Sequence, residues 1–274
     1  MKTIMKKNAR ILLIIYVLTW FLIGPNCLIK SSADGEIQDN ILCQKGTYIN
    51  SNNEKTTYYL VTVPLHDDSG EIIPIVSDYD EEYSPVMHAK KNRTRVTANS
   101  GMTLSHKQGA VINNGRVIKE SEYLNKNPYL VYVGFDENRQ VYEYSMDTDP
   151  AIMLADGIRN ASIAYYRLVT DCIVRDVSQI GLSKSNLKQN PRMAMFVKED
   201  GAVCFLACDG RNPDDAGLTP YELGYLMVGF GAVDGWNLDG GGSTSLSLNG
   251  VKLNKNIDGN GTVDRNIHVT WNVP

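Results

Sequence analysis

Residues 237–248 read Asn-Leu-Asp-Gly-Gly-Gly-Ser-Thr-Ser-Leu-Ser-Leu, which places three consecutive glycines directly behind an aspartate. Glycine loses more backbone entropy on folding than any other residue, so a run of three is unfavourable unless the local geometry requires it. A nucleotide-binding loop would need a helix N-terminus after the glycines, to direct backbone N–H groups at phosphate. Here residues 244–248 alternate polar and apolar, and Asn249-Gly250 then predicts a turn into another strand. The stretch therefore predicts strand, glycine turn and hairpin, and it excludes a classical nucleotide loop.

The glycine run has two interpretations. An isolated glycine triplet is most often a tight turn that serves packing alone. In this chain Asn237 and Asp239 lie two residues apart on the preceding strand, so their side chains face the same side. Glycines 240–242 carry no side chains, which would leave room and backbone N–H groups for a ligand beside Asp239. This context favours a ligand site.

One helix is well marked upstream of this stretch. Thr219-Pro220-Tyr221-Glu222 has the pattern of a capping box with proline at the first helical position. Apolar residues follow at helical spacing, and they are Leu223, Leu226, Met227 and Phe230. Gly231 stands where a C-terminal glycine belongs. Residues 232–238 then predict a strand that leads to Asp239.

Most of the remaining pattern predicts short strands. The candidates are 58–63, 72–76, 95–98, 110–112, 117–118, 129–133, 140–144, 193–197 and 202–208. Asn113-Asn114-Gly115 is a strong hairpin signal because Asn-Gly accepts positive φ. Residues 152–177 fit helix or strand equally well, and 183–190 predict a polar loop. We therefore predict a single α+β domain over 34–274, mostly antiparallel sheet with a few packed helices.

The composition is that of an ordinary globular protein, with 43% hydrophobic and 21% charged residues among 274. The net charge is −4 and the pI is near 5.6, so no global basic field indicates nucleic-acid binding. We therefore expect no nucleic-acid partner.

The N-terminus has the pattern of a targeting segment. Basic residues precede an apolar run, 11–23, whose 13 residues are fewer than the roughly 20 that span a membrane. Ser31-Ser32-Ala33 supplies small residues for cleavage, so 1–33 is predicted to be a signal peptide. An uncleaved anchor is the alternative, because apolar character resumes at 27–29. Either version predicts a secreted or membrane-anchored, extracytoplasmic protein that contacts the membrane only through an uncleaved segment.

Four cysteines follow this segment: Cys43, Cys172, Cys204 and Cys208. Cys204 and Cys208 lie in one extended run, about 13 Å apart, which is beyond disulfide reach. Bridges to Cys43 or Cys172 and buried thiols are both open. The spacing does not match a zinc site.

Two further polar positions border buried strands. Asp209-Gly210-Arg211 ends the apolar run 202–208, where functional residues often lie, although a solvated turn explains it equally well. Arg192 precedes the strand 193–197, and taken alone it is typical of a surface arginine.

Together these segments resemble the phosphodiester glycosidase family over about residue 96 to the C-terminus. The segments that carry the resemblance are Asn99-Ser100-Gly101, Asn190-Pro191-Arg192-Met193-Ala194, Asp209-Gly210-Arg211, Gly217-Leu218-Thr219 with Glu222-Leu223, and 237–244. The resemblance implies a mixed α+β fold and hydrolysis of a sugar-1-phosphodiester to free sugar and a phosphomonoester. Bacterial relatives of this kind are linked to exopolysaccharide or cell-wall glycans, so a sugar-phosphate or glycan substrate is expected.

Residue roles follow from this chemistry. Cleavage of a glycosyl–phosphate bond passes through an oxocarbenium-like transition state that a carboxylate can stabilise or attack, and arginine grips phosphate bidentately. We predict Asp239 as the carboxylate at the anomeric carbon and Asp209 as a second acid/base or orienting group. The predicted substrate-binding residues are Asn99, Gly101, Arg192, Arg211, Asn237, Gly240, Gly241, Gly242, Ser243 and Arg265.

The chain departs from the family pattern after Asn99, because Ser100-Gly101-Met102-Thr103 stands where Gly-Gly and aromatic residues are typical. This departure favours a rival interpretation, a non-catalytic glycan-binding domain on the same scaffold.

The sequence predicts no firm cofactor and no metal ligand. The four histidines, His66, His88, His106 and His268, have no metal-ligand spacing. Residues 256–264 carry oxygen ligands at alternating positions, as in a calcium loop, so a calcium ion is an open alternative. Asn256 replaces the usual first aspartate and Ile267 stands at the closing position, which favours a hairpin loop.

Overall fold

The computed structural model describes residues 30–38, 40–81, 83–101, 109–121, 129–255 and 265–274. The calcium-like loop, 256–264, and residues 1–29 of the predicted targeting segment lie outside this part of the chain. Lys30–Gln38 forms the first strand, so residues 30–33 of the predicted signal region belong to a sheet here. Within the described ranges no helix has both the length and the apolar character needed to cross a membrane.

Eight strands form one antiparallel sheet, hereafter the long sheet. In spatial order they are β1 (Lys30–Gln38), β2 (Ile41–Ile49), β3 (Lys55–Val63), β14 (Val203–Cys208), β13 (Arg192–Lys198), β15 (Ala232–Asn237), β11 (Tyr166–Thr170) and β12 (Ile173–Val174). Arg192 pairs with Cys208, and Ala194 pairs with Asn237. The first residue of β13 therefore lies beside the last residues of β14 and β15, at one end of the three central strands.

Two five-stranded antiparallel sheets complete the fold. The hairpin sheet has the order β7 (Arg116–Lys119), β6 (Val111–Asn113), β10 (Asn160–Ala164), β8 (Val131–Phe135) and β9 (Val141–Ser145). The C-terminal sheet has the order β17 (Val251–Lys252), β16 (Leu246–Leu248), β5 (Val96–Asn99), β18 (Val269–Val273) and β4 (Val76–Tyr79).

The described helices are few and short: α1 (Pro85–Asn92), α2 (Pro150–Ala155) and α3 (Pro220–Gly229). Each begins at a proline directly after a side-chain cap, as expected for a residue that lacks N–H. In α3, Thr219 Oγ1 accepts from the Glu222 N–H at 3.2 Å, and Glu222 Oε2 accepts from the Thr219 N–H at 2.7 Å. Gly231 follows the helix with a φ of +90°. The predicted capping box and C-terminal glycine are confirmed.

The centre of the long sheet is buried on both faces. Along β14, Val203, Phe205 and Ala207 pack into one core with Trp271, while Cys204, Leu206 and Cys208 pack into a second core with Leu223 of α3. This division follows from the period-2 alternation of side chains along a strand. Because both faces are apolar, β14 reads as a continuous hydrophobic run.

The predicted predominance of antiparallel sheet with few helices is confirmed. The predicted hairpin turn is confirmed too, since Asn114 and Gly115 have φ values of +48° and +75°. The predicted strand 72–76 is wrong in its bounds: Ile72 forms only an isolated bridge with His66, and β4 begins at Val76. Pro74 has no N–H for a ladder bond, which explains why pairing begins after it.

None of the four cysteines in the described residues forms a disulfide bond. Cys43 packs against the core that contains Phe205, whereas Cys204 and Cys208 belong to the core on the opposite face of the long sheet. Cys172 lies in the exposed turn between β11 and β12. The sheet itself therefore separates Cys43 from the two buried thiols.

Candidate active site

The glycine stretch connects the long sheet to the C-terminal sheet. After β15 ends at Asn237, Gly241–Ser243 forms one turn of 3-10 helix, and β16 then begins at Leu246. The predicted order of strand, glycine turn and strand is confirmed. The Leu238 N–H donates to Met193 O at 2.8 Å and the Asp239 N–H donates to Ser100 O at 3.1 Å. Asp239 is therefore held between β13 and β5.

Close packing explains two of the three glycines. A Cβ on Gly240 would lie 2.7 Å from Pro191 O, and one on Gly241 would lie 3.0 Å from Arg211 Nη2. Gly241 also has a φ of +61°, which glycine adopts most readily. The Gly241 N–H donates to Pro191 O at 2.8 Å. The position that a Cβ would take on each of these two glycines is thus occupied by Pro191 or Arg211, and the Gly241 amide is used within the protein.

Asn99 holds both ends of the glycine loop. Its Nδ2 donates to Asp239 O at 2.8 Å, and its Oδ1 accepts from the Ser245 N–H at 2.8 Å. The next two residues contact β10: Ser100 Oγ donates to Ile163 O at 2.8 Å, and a Cβ on Gly101 would lie 2.6 Å from the same oxygen. The segment Asn99-Ser100-Gly101 therefore fastens the loop where the sheets meet.

A cavity of about 270 Å³ opens over this loop. Its lining comprises Tyr165, Tyr166, Ser185, Asn186, Asn190, Arg192, Arg211, Asn237, Leu238, Asp239, Gly240, Gly241, Gly242, Ser243 and Arg265. Nine of the twelve predicted site residues belong to this lining. The three that do not are Asn99, Gly101 and Asp209.

Arg192 is the most rigidly held of the lining cations, with 5% of its surface exposed. Its Nε donates to Leu218 O at 3.0 Å, and its Nη2 donates to Asn186 O and Lys188 O at 2.6 and 2.7 Å. Burial lowers the pKa of the guanidinium from its ordinary value. The structure gives Nη1 no hydrogen bond to any described residue, so this nitrogen can donate into the cavity.

Two more arginines border the loop. Arg211 has a φ of +60°, and its Nε and Nη2 donate to Asn190 Oδ1 at 3.0 and 2.8 Å. Arg265 Nη1 lies 3.5 Å from Ser243 Oγ. The arginines reach the cavity from three separate parts of the chain, while Asp239 is the one carboxylate in the lining named above.

Tyr165 and Asn237 show the polarity around Asp239. Burial and the negative charge of Asp239 raise the pKa of Tyr165 well above its usual range, so this phenol stays neutral. Asn237 Nδ2 donates to Leu238 O at 2.7 Å, which fixes the orientation of the amide. Asn237 Oδ1 is buried without a hydrogen-bond partner among the described residues. A buried acceptor of this kind is destabilising unless a ligand or water supplies a donor.

The sequence pattern of the family described as phosphodiester glycosidase matches residues 87–273, well over half of the chain. The chain belongs to the phosphodiester glycosidase family. The match contains the whole lining of the cavity, from Tyr165 to Arg265. The predicted resemblance to this family is therefore confirmed.

A curated relative is the SPbeta prophage-derived uncharacterized protein YomE of Bacillus subtilis (strain 168), which is 27% identical over 173 residues. That alignment covers 62% of this chain and 27% of YomE, so this chain spans about a quarter of the length of the relative.

Solved structures share the fold. The catalytic domain of zebrafish N-acetylglucosamine-1-phosphodiester alpha-N-acetylglucosaminidase, auto-inhibited by its pro-peptide, has a TM-score of 0.67 at 15% identity, covering 90% of this chain and 87% of that one. A hypothetical protein from Synechocystis has a TM-score of 0.54 at 16% identity, covering 85% and 62%. A candidate exported protein from Burkholderia pseudomallei K96243 has a TM-score of 0.58 at 12% identity, covering 81% and 74%.

In this member of the phosphodiester glycosidase family, Asp209 is buried and does not belong to the lining of the cavity. Its Oδ1 accepts from the Lys255 N–H at 2.7 Å, and its Oδ2 lies 3.4 Å from the hydroxyl of Tyr59. Burial raises the pKa of the carboxyl to about 6. Asn254, the residue before Lys255, holds the C-terminal side of the glycine loop, because its side chain accepts from the Leu246 N–H and donates to Thr244 O. Asp209 therefore acts on the loop through the 254–255 backbone.

Several lining residues were not predicted from the sequence. Tyr165 stands between β10 and β11 and Tyr166 begins β11, in the segment whose helix or strand character was ambiguous. Asn190 belongs to the family segment that contains Arg192, so the resemblance itself offered a signal for it. Ser185 and Asn186 lie in the predicted polar loop, and nothing in their spacing indicated a site.

Across the described ranges, no three His, Cys, Asp or Glu side chains come together in an arrangement that could hold a metal ion.

Proposed function

We propose that this chain hydrolyses a sugar-1-phosphodiester, releasing the free sugar and leaving a phosphomonoester on the rest of the substrate. The observation that carries the proposal is the cavity whose lining brings Arg192, Arg211 and Arg265 together with a single carboxylate, Asp239. Membership in the phosphodiester glycosidase family supports a hydrolase acting on phosphodiesters. The proposed substrates are cell-surface or extracellular glycans.

The charge of the cavity supports an anionic substrate. Its lining has three arginines against one aspartate, whereas the chain as a whole carries a net charge of −4. A cavity that is locally positive in an acidic protein attracts anions and repels cations. Arginine also matches the geometry of phosphate, because its planar fork donates two parallel hydrogen bonds.

The proposed reaction breaks the bond between the anomeric carbon and the phosphate oxygen. Positive charge develops on the sugar ring, and Asp239 stabilises or attacks it. The electron pair of the broken bond remains on the phosphate, which is a weak base and needs charge neutralisation more than a strong general acid. Water adds its oxygen to the anomeric carbon, and its protons end on the sugar hydroxyl and the solvent.

Each lining group has a role in this scheme. Nη1 of Arg192 donates to a phosphate oxygen, and Arg211, which lies against Gly241, neutralises the departing charge. Asn237 Oδ1 accepts a hydrogen bond from a sugar hydroxyl, which gives that buried oxygen its partner. Asn99 and Asp209 act as positioning residues, because their contacts are with the loop and not with the cavity.

Asp239→Asn tests the assignment directly. The substitution keeps the shape but removes the negative charge, so release of free sugar from aryl or nucleotide-linked sugar-1-phosphates should fall by about 10³-fold or more. Asp214→Asn, at an exposed aspartate of the loop after β14, is the matched control and should retain full activity. Retained turnover in Asp239→Asn, with an unchanged thermal melt, would contradict the assignment.

A non-catalytic glycan-binding domain is the alternative from another class. The departure that favours it includes Ser100 and Gly101, but both contact β10 and neither lines the cavity. Binding of several sugar-1-phosphates without release of sugar from any of them would favour the alternative.

We also propose that the protein acts outside the cytoplasm. The basic and apolar N-terminal segment supports this location, and so does the likeness to a candidate exported protein. N-terminal sequencing of the protein recovered from culture medium and from membranes would test it: a new N-terminus near residue 34 in the medium indicates a cleaved signal, and recovery only from cytosol contradicts the proposal.

A further inference from the structure

Three buried polar side chains share one face at the end of the long sheet. Asn237 of β15 pairs with Tyr166 of β11 on one side and with Ala194 of β13 on the other. Residues directly opposite each other in an antiparallel pair point to the same face, and Arg192, two residues before Ala194, points there too. The packing agrees, because Tyr166 and Ala194 belong to the same core beside α3. The short Asn237 side chain therefore lies between two strands that carry longer ones, Tyr166 and Arg192.

Each of the three side chains has a polar atom that no described residue satisfies. Tyr166 and Asn237 are both 3% exposed, and the Tyr166 hydroxyl and Asn237 Oδ1 are buried without a hydrogen-bond partner in the described ranges. Arg192 uses Nε and Nη2 within the protein, which leaves Nη1 for the cavity. All three residues line the cavity of the candidate active site. Because buried polar groups are destabilising when unpaired, a ligand in this cavity is the expected source of their partners.

The unpaired atoms of Tyr166 and Asn237 match a group that both donates and accepts hydrogen bonds. Asn237 can only accept here, because its Nδ2 already donates to Leu238 O. Burial raises the pKa of Tyr166 to about 12, against a lowering by the charge of Arg192, so the phenol keeps its proton and can donate. A phosphodiester has no hydrogen to donate to Asn237. A sugar hydroxyl or an acetamido group carries a donor and an acceptor, so either group can pair with both residues.

The position of Arg192 indicates which carbon of the sugar carries that group. In the proposed function Nη1 of Arg192 donates to a phosphate oxygen, and Arg192 lies on the same sheet face as Tyr166 and Asn237. The phosphate is attached to the anomeric carbon, C1. Among the ring carbons that carry a hydroxyl or an acetamido group, C2 is the one bonded to C1. The group that reaches Tyr166 and Asn237 while the phosphate reaches Arg192 is therefore the substituent on C2.

We infer that Tyr166 is a further substrate-contacting residue, whose hydroxyl donates to the oxygen of the C2 substituent while Asn237 Oδ1 accepts from the O–H or N–H of that substituent. The inference rests on the proposed function, which places the phosphate on Arg192. It adds that the chain selects sugars with a hydroxyl or an acetamido group at C2. Hydrogen bonds at C2 strengthen as the oxocarbenium-like transition state forms, so this contact acts on kcat more than on KM.

Sugar release by Tyr166→Phe from matched substrates tests the contact. The substrates are phenyl diesters of glucose 1-phosphate, N-acetylglucosamine 1-phosphate and 2-deoxyglucose 1-phosphate, which differ only at C2. Tyr166→Phe should lower kcat about tenfold or more on the faster of the first two, and less than about twofold on the 2-deoxy substrate. Each substrate is compared with itself in the two enzymes, so its own reactivity cancels. Equal losses on substrates with and without a C2 substituent would overturn the inference.

Tyr132→Phe is the matched control, because it removes a buried hydroxyl that already has a partner. Tyr132 lies outside the cavity lining, and its hydroxyl accepts from the Ala110 N–H at 2.9 Å. Tyr132→Phe should lower the melting temperature by about 2–4 °C and leave sugar release unchanged. Tyr166→Phe removes an unpaired hydroxyl, so its melting temperature should equal or exceed that of the wild type while sugar release falls. A lower melting temperature for Tyr166→Phe with unchanged selectivity at C2 would show a structural role alone and contradict the contact.

Binding separates this inference from the proposed function. Calorimetry would measure the affinities of wild type and Tyr166→Phe for glucose 1-phosphate, N-acetylglucosamine 1-phosphate and 2-deoxyglucose 1-phosphate. The wild type should bind one of the first two about threefold or more tightly than the 2-deoxy compound, and Tyr166→Phe should bind all three alike. That result without turnover of any diester sustains the contact and overturns the proposed function. Equal kcat of the two enzymes on every diester sustains the proposed function and overturns the contact, and neither preference nor turnover overturns both.

Discussion

Asn99 holds the glycine loop through its side-chain amide, whose nitrogen bonds residue 239 and whose oxygen bonds residue 245. It is fully buried, and Nδ2 also donates to Ser100 O at 3.0 Å. A side-chain amide supplies a donor and an acceptor from the same small plane without carrying a charge. The position therefore requires asparagine for the loop, whatever substrate the cavity binds.

Replacing Asn99 with aspartate should be strongly destabilising although the shape is retained. The carboxylate keeps the acceptor for the Ser245 N–H but faces two carbonyl oxygens where Nδ2 donated. We expect the free energy of unfolding to fall by about 3 kcal/mol or more, measured by urea denaturation. Asn138→Asp, in the exposed β8–β9 turn, should stay within about 0.5 kcal/mol of the wild type. A similarly small change for Asn99→Asp would contradict the loop-holding role.

Asp209 should give the protein an unusual pH dependence of stability. Its folded pKa of about 6 lies above the ordinary value of 3.8. Between these pH values the unfolded chain has released the proton and the folded chain has kept it, so stability falls as pH rises. The shift of about two units corresponds to about 3 kcal/mol, lost between about pH 4 and pH 6.

Asp209→Asn should remove that loss, since the amide oxygen still accepts from the Lys255 N–H. Its advantage in unfolding free energy over the wild type should grow from near zero at pH 4 to about 3 kcal/mol at pH 7. Urea midpoints across that range would measure it, with Asp214→Asn as the exposed control. An advantage that shrinks as pH rises would show that the carboxylate is stabilised, not penalised, by its surroundings.

At the scale of elements, the glycine loop joins β15 of the long sheet to β16 of the C-terminal sheet. Its glycines lie where the backbone meets Pro191 and the guanidinium of Arg211. Close approach, more than backbone freedom, is the reason for Gly240, whose φ of −116° and ψ of −158° are open to any residue. The loop thus positions Asp239 and at the same time packs closely where the long sheet meets the C-terminal sheet.

Gly240→Ala should destabilise by a steric mechanism that also disturbs the site. Its Cβ would lie 2.7 Å from Pro191 O, a backbone atom that cannot move cheaply. We expect a loss of about 1–3 kcal/mol in unfolding free energy together with reduced sugar release. Gly157→Ala is the contrast, because Gly157 has a φ of +90° with nothing within 4 Å of its Cβ. That variant should lose about 1–2 kcal/mol and keep full activity, and equal loss of activity in both would refute the steric argument.

At the scale of the whole molecule, Arg139 ties the hairpin sheet to the long sheet and to the segment that leads into the C-terminal sheet. It lies in the β8–β9 turn of the hairpin sheet, 5% exposed. Its guanidinium donates to Val63 O of β3, to Gly201 O before β14, and to Pro64 O, Leu65 O and Ile73 O on the path toward β4. Burial lowers the pKa to about 10, so the group is still charged at neutral pH.

Arg139→Lys should therefore weaken the assembly of sheets despite conserving the charge. A lysine ammonium has three donors on a flexible stem, so it cannot donate to all five carbonyl oxygens that the planar guanidinium contacts. We expect unfolding free energy to fall by about 2–4 kcal/mol in urea denaturation, against less than about 0.5 kcal/mol for Arg116→Lys on the exposed side of β7. A loss no larger than that of the control would mean that the carbonyls are satisfied without the fork.

The local features were predictable because they depend on neighbours in sequence. Asn114-Gly115 adopts the positive φ values that its composition predicts, and Thr219 and Glu222 form the capping box three residues apart. Asn237 and Asp239 both line one cavity, but β15 ends at Asn237 and Leu238 lines the same cavity, so the predicted alternation along a strand is not the reason. The bounds of the 72–76 strand were not predictable from apolar character alone, since Pro74 interrupts the ladder.

The sequence by itself determined the predominance of antiparallel strands, the helix α3, the family, and Asp239 as the aspartate that precedes the three glycines. What only the tertiary structure decided is that three arginines from distant segments share one cavity with Asp239, and that Asp209 is buried outside its lining. The physical reason is that caps and turns depend on hydrogen bonds between residues that are close in sequence. Burial and charge at a site depend instead on strands that sheet pairing brings together across more than a hundred residues, as between Thr97 and Asn272.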